Sequence, residues 1–306
     1  MTQRNYLPEE SYSKTNKTKV TRRKHRSFAP GELSFAGKCI VYLLIFIGLF
    51  LFMFPLFWMV TTSLKTQGAV FKIPPQWFPS PIQWENYLEV FADHPFGKYV
   101  WNTVWYTAVS VFATVFTSSL VAFGFARLRA RGSLVLFAIV LSTMMLPAQV
   151  TMIPQYLIFN KLGWIDSYLP LIIPAFGGSA FLIFLLRQFY TGIPRELDDA
   201  VKIDGGGYMI LFFRIILPLS VPAMATAAIM EFMFRWNDLM GPLIYLNDSE
   251  LYPLSLGLAN FTATYAQTPW NLLMAGSVIA VLPPLLLFFF AQKYFIQGIV
   301  ISGGKG

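Results

Sequence analysis

Five charged residues crowd into residues 196–207, ELDDAVKIDGGG, although only 12% of this 306-residue chain is charged. Glu196, Asp198, Asp199, Lys202 and Asp204 are followed by Gly205, Gly206 and Gly207. Three chemistries use such residues. Clustered carboxylates can hold a cation, but Asp198, Asp199 and Asp204 lack the spacing of a calcium loop. Glycine runs can cradle phosphate, yet no Gly-Lys-Ser/Thr follows these. The third is recognition by a short helix. Pro194 suits a first helical position and the acids suit the positive end of the helix dipole. Ile193, Leu197, Ala200 and Val201 fall on one apolar face, and the glycines offer a left-handed terminator. A docking helix and an ordinary surface loop both satisfy this local pattern.

Reactive groups are scarce elsewhere. The one cysteine, Cys39, excludes an intrachain disulfide, and His25 and His94 are too few for a histidine zinc site. Residues 31–38, GELSFAGK, imitate a nucleotide-binding loop. The spacing is one residue too long, however, and Cys39 stands where a hydroxyl is needed. Glu231 and Arg235 are one helical turn apart within an apolar run, in the favourable order for an ion pair. Thr143, Gln149 and Thr151 interrupt another such run and are candidates for a polar path, or for helix–helix hydrogen bonds. Trp101, Trp105 and Tyr106 read as membrane-interface aromatics. No nucleophile–base pairing is evident, so an enzyme is not indicated.

The elements that must position these residues are membrane spans. Hydrophobic residues make up 56% of the chain and aromatics 17%, a composition that seeks lipid. Uncharged or nearly uncharged runs cover 39–60, 99–126, 132–160, 167–186, 214–236 and 271–292. That predicts an all-α integral membrane protein with six transmembrane helices. Prolines at 55, 147, 154, 218, 222, 283 and 284 predict kinks and boundaries. With both termini cytoplasmic, 18 of the 23 Lys and Arg fall on the inner side, as the positive-inside rule demands. Residues 1–35, including the basic run TRRKHR at 21–26, read as a disordered cytoplasmic tail rather than a cleaved signal. Its charge sets topology, not nucleic-acid binding. Residues 36–298 form the transmembrane domain, with the short helix at 193–207, and 299–306 a cytoplasmic C-terminal tail.

The stretch IPRELDDAVKIDGGGYMILFFRIILPLSVPA, residues 193–223, resembles the EAA loop in permease subunits of binding-protein-dependent ABC importers. Asp199, Ala200 and Val201 occupy the opening positions, Asp204 and Gly205 the Asp-Gly, and Leu217-Pro218 the close. Asp for Glu at the start, Val201 for the second Ala, and Gly206 for a usual Ala are mild departures. YVWNTVWYTAV, FARLRARG, MMLPAQVTMIPQYL, FLLRQF, RWNDLMGPLIYLND and WNLLMAGSVIAVLP look like carbohydrate importers, in the order of the smaller maltose-type permease.

The resemblance implies a type I ABC importer permease that pairs with a second homologous permease. Two cytoplasmic ATPase subunits would hold ATP and Mg, this chain binding no cofactor, and an extracytoplasmic sugar-binding protein would deliver substrate. It implies ATPase docking through Arg195, Glu196, Asp199, Ala200, Asp204 and Gly205. An outer gate or path would draw on Asn237 and Asp238 beside Glu231, Arg235, Thr143 and Gln149. The external loop around 241–268 would meet the binding protein. The implied location is the cytoplasmic membrane of a bacterium or archaeon. An ion-coupled secondary transporter is the alternative, but a single deep carboxylate and no internal repeat weigh against it.

Overall fold

The computed structural model describes residues 35–92, 95–264 and 268–303, with no side-chain account of 262–264 or 293–303. The basic tail, residues 31–34 of the loop-like stretch at 31–38, both histidines and residues 304–306 lie outside the described residues. Among those described, every regular element is helical. The chain divides into two units, Met1–Met53 and Phe54–Gly306. In the first, residues 35–53 are helical, with Leu43, Phe46, Leu51 and Phe52 all exposed. Such a surface belongs in hydrocarbon.

Four stretches are long and apolar enough to cross a membrane: Phe35–Ser63 (α1), Phe96–Arg127 (α2), Leu169–Thr191 and Trp270–Gln292. Two bent pairs qualify only if each is taken as one span. Ser133–Thr143 (α3) and Ala148–Lys161 (α4) meet at 94°; Tyr208–Leu219 meets Val221–Trp236 at 77°. The run read as one span over 132–160 is therefore two helices. Pro147 sits at the break with extended backbone, and a residue preceding proline is driven out of the helical region. In the later pair the chain turns at Ser220, where Pro222 has no N–H for the Pro218 carbonyl.

α2 is the centre of the second unit. Its buried Ser110, Ala113, Thr114, Ser118, Ser119 and Ala122 are small, so neighbouring backbones approach closely. Ala180–Thr191 (α5) and the later helix Val221–Trp236 both pack on it. Gly178, at φ +76°, breaks the stretch before α5; a Cβ there would lie 3.1 Å from Ser118 Oγ. The same hydroxyl accepts the Ser179 N–H at 2.9 Å. The last helix runs Trp270–Gly303, past residue 298, the expected end of the transmembrane domain.

Candidate docking helix and a second polar cluster

Glu196–Ile203 (α6) is a short helix between α5 and the Tyr208–Leu219 segment. It starts two residues after Pro194, with the Asp198 N–H donating to the Arg195 carbonyl at 2.9 Å. It ends in a Schellman turn: Gly206 N–H donates to Val201 C=O at 2.7 Å, and Gly205 N–H to Lys202 C=O at 3.0 Å. The two glycines are needed for different reasons. Gly205 has φ +76°, the left-handed region, whereas a Cβ on Gly206 would lie 2.6 Å from Val201 Cγ1.

Ile193, Leu197 and Val201 turn inward onto a core that includes Phe123, Leu186, Tyr190 and Phe212. Ala200 does not join them. The inward place on the helix belongs instead to Asp198, which is buried, while Ala200 is exposed. Glu196, Asp199, Ile203, Asp204 and Gly205 are exposed as well, and Ile203 is 86% exposed despite its apolar side chain. The outer face is thus acidic at its edges and apolar between them. The Lys202–Asp199 pair at 3.2 Å lies in solvent and adds little.

Asp198 is buried because Arg127 meets it. Arg127 Nη1 lies 3.1 and 3.2 Å from the two carboxylate oxygens, and Nη2 donates to the Tyr190 and Ile193 carbonyls at 2.8 and 2.9 Å. One guanidinium at the end of α2 therefore ties together the end of α5, the linker and α6. Arg195 adds a second tie, donating from Nη2 to the Ala126 carbonyl at 3.2 Å. In apolar surroundings such a network holds its geometry firmly, since losing either partner strands a buried charge.

A second polar cluster surrounds Glu231 in the Val221–Trp236 helix (α7). Glu231 Oε1 accepts from Arg235 Nε at 2.7 Å and from Thr114 Oγ1 at 3.1 Å. Arg235 Nη1 lies 3.4 Å from the Tyr106 hydroxyl, which donates to Asp238 Oδ2 at 3.2 Å. Asp238 Oδ1 in turn accepts the Gly241 N–H at 3.0 Å. Both bonds fall on Oε1, so Glu231 is tied at once to its own helix and to α2. Trp236 Nε1 donates at 3.0 Å to the Ala280 carbonyl. That carbonyl lies four residues before Pro284 and so lacks its usual helical donor.

The segment after α7 is pinned near this cluster. Asp166, with φ +61°, accepts the Asp248 and Asn247 N–H groups at 2.9 Å each. Those two bonds, Asp248's first, hold the Asp166 carboxyl below the usual carboxylate range. Asn102 donates to the Glu250 and Tyr252 carbonyls at 2.9 and 3.1 Å. Lys98 pairs with Glu250.

The model of the binding-protein-dependent transport system inner membrane component matches residues 115–301, more than half of the chain. The chain belongs to that family. It is 33% identical over 282 residues to the probable ABC transporter permease protein YurM of Bacillus subtilis (strain 168), covering 90% of this chain and 92% of YurM. With the arabinooligosaccharides transport system permease protein AraQ of the same organism it shares 33% over 259 residues, 84% of this chain and 92% of AraQ. A chain from the crystal structure of a bacterial ABC transporter that imports the acidic polysaccharide alginate has the same fold. Its TM-score is 0.76 at 24% identity, covering 84% of this chain and 96% of that one.

As a member of this permease family, the chain is a membrane component of an ABC importer that works with other subunits, and hydrolysis of ATP belongs to a separate one. A stand-alone ion-coupled transporter is set aside. Of the residues singled out from sequence, Glu231, Arg235 and Asp238 come together. Asn237 is exposed beside them and donates to the Met233 carbonyl of its own helix at 2.8 Å. Thr143 and Gln149 are exposed on either side of the 94° bend, and Thr143 Oγ1 returns to the Val140 carbonyl at 2.7 Å. Thr151 likewise bonds its own turn, to Ala148. Tyr106 is buried in the polar cluster, not at an interface as its residue type implied. The structural roles of Arg127, Asp198 and Thr114 were not readable from the sequence. Arg127 was indistinguishable there from Arg129 and Arg131, and Asp198 from the exposed acids around it.

Proposed function

We propose that this chain is one of two homologous permeases lining the path of a carbohydrate importer in the cytoplasmic membrane of a bacterium or archaeon. It crosses six times, each bent pair counting as one span, with both termini inside. The outer face of α6, comprising Glu196, Asp199, Ala200, Ile203, Asp204 and Gly205, docks into one of two ATPase subunits, which carry ATP and Mg. An extracytoplasmic binding protein delivers the solute near the segment at 241–268. AraQ's arabinooligosaccharide system and the alginate importer favour an oligosaccharide as the class of solute.

One observation carries this reading: a short helix with an exposed acidic–apolar face, fastened by a buried ion pair to the central helix α2. A docking helix must transmit force without bending. Arg127 makes α6 move with the end of α2. On α2 the same rod carries Tyr106 and Thr114, which hold Asp238 and Glu231. From 106 to 127 the rod spans roughly 30 Å at the rise of an α-helix. Approach of two docked ATPase subunits would draw the α6 ends inward, and α2 would carry that displacement to the outer cluster. Arg195 acts here as a tie to α2 more than as a docking contact. Glu231 and Arg235 are struts of the outer gate, and Thr143 and Gln149 stand at the bend, where they could border the path.

The test is uptake by proteoliposomes holding the complete complex, with ATP inside and binding protein plus labelled oligosaccharides outside. Uptake that requires ATP and binding protein supports the reading. Uptake driven by a proton or sodium gradient without ATP would overturn it.

A further inference from the structure

Among the described residues Arg129, Arg131, Arg187 and Arg214 lie outside both clusters, and the first three share one place. Arg129, Arg131 and Arg187 line an open cavity of about 720 Å³ together with Leu128, Ser133, Leu134, Val135 and Phe137. It lies where the end of α2, the start of α3 and the latter half of α5 converge. The lining contains no carboxylate. Among the described residues, the ion pairs formed elsewhere leave these three guanidiniums without an acidic partner. Arg187 is held in place by its stack on Phe137, 4.2 Å from the ring centre, and its Nε is buried without any acceptor. The first turn of α3, an 11-residue helix, adds the positive end of its dipole.

We propose that this cavity binds the phosphate of an anionic phospholipid whose acyl chains lie along α3. The charge argument calls for an anion: three unpaired cations and a helix N-terminus converge, with one guanidinium nitrogen buried and unsatisfied. The apolar lining decides which anion. Leu134 and Val135 are 77% and 62% exposed beside the arginines, on a helix that is part of a membrane-spanning pair. A ligand filling the site must offer phosphate to the arginines and hydrocarbon to these side chains. A phospholipid at the membrane surface does both, and basic pockets between helix ends are a known way of holding such headgroups. The site adjoins Arg127, so a lipid here would brace the same end of α2 that holds α6.

The full chain in mild detergent, examined by native mass spectrometry, tests this with phosphatidylglycerol, phosphatidylcholine and inorganic phosphate as probes. Phosphatidylglycerol should be retained and phosphatidylcholine lost. Each arginine changed to glutamine should weaken retention about fivefold, and millimolar phosphate should not displace the lipid. Arg129→Gln/Arg131→Gln guards against misfolding, because both side chains are exposed and make no ion pair among the described residues. Equal retention of both lipids, or of phosphatidylglycerol by that double variant, would overturn the proposal. Displacement by phosphate alone would make it a free-anion site. If the double variant, purified as the assembled complex, loses the ATPase subunit while lipid retention is unchanged, the cavity is a protein contact. Either result overturns the lipid assignment.

Discussion

Arg127, Arg129 and Arg131 alternate along five residues, yet only the first is buried. Its side chain is 1% exposed because it ends α2 against α5, where the Tyr190 and Ile193 carbonyls and Asp198 supply acceptors. Asp198→Asn leaves Arg127 buried without a counter-ion and should destabilise the chain by about 3–5 kcal/mol. Arg127→Met combined with Asp198→Leu removes both charges and should recover most of that loss, as read from thermal unfolding in detergent. The double variant should nevertheless couple poorly, with ATPase activity persisting while uptake falls. A double-variant loss equal to the sum of the two single-variant losses would mean that the pair is not a coupled unit. At Glu231 the sequence was more informative: the i,i+4 spacing to Arg235 foretold the pair. It could not foretell Tyr106 and Thr114, because their roles come from α2 lying alongside α7.

The glycine corner behind α6 was legible because left-handed termination has a compositional signature. Gly205→Val should introduce strain of roughly 1–2 kcal/mol, confined to that corner, where nothing crowds the missing Cβ. Limited proteolysis should then cut within 196–207 while the rest of the chain stays intact. Unchanged protease resistance would show that the turn tolerates a side chain. Gly206 was read as a stand-in for alanine, but the close approach of Val201 explains the glycine directly. The bent pairs were harder to read. Hydropathy averages over a bend, so 132–160 looked continuous, and Pro147 announced a break without giving its 94° angle. Ala200 was misplaced for a related reason. A helical wheel for eight residues cannot tell which of two adjacent arcs faces the core, and Arg127 settled that by drawing Asp198 inward.

For the molecule as a whole, composition and charge asymmetry pointed to an α-helical membrane protein, helical in every regular element among the described residues, while the permease family rested on the motif at residues 193–223. The inside–outside assignment yields its own prediction. In a Cys39→Ser background, a cysteine at Asp204 should react with a membrane-impermeant maleimide only after the membrane is opened. One at Asn247 should react in intact spheroplasts. Labelling of both from the same side would invalidate the six-span arrangement. Residues of the translocation path were the least legible part, since they would face a cavity shared with a second chain, and one sequence cannot display it.

The most direct measurement is co-purification of the ATPase subunit with an Ala200→Trp variant. Ala200 is exposed and lies off the face that packs on the core, so an indole there should leave folding and pairing with the second permease unchanged while filling the docking surface. The account predicts a well-expressed variant of normal thermal stability that no longer retains the ATPase and no longer takes up oligosaccharide. Full retention of the ATPase with normal uptake would contradict it, since α6 would not then be the element that couples this chain to ATP.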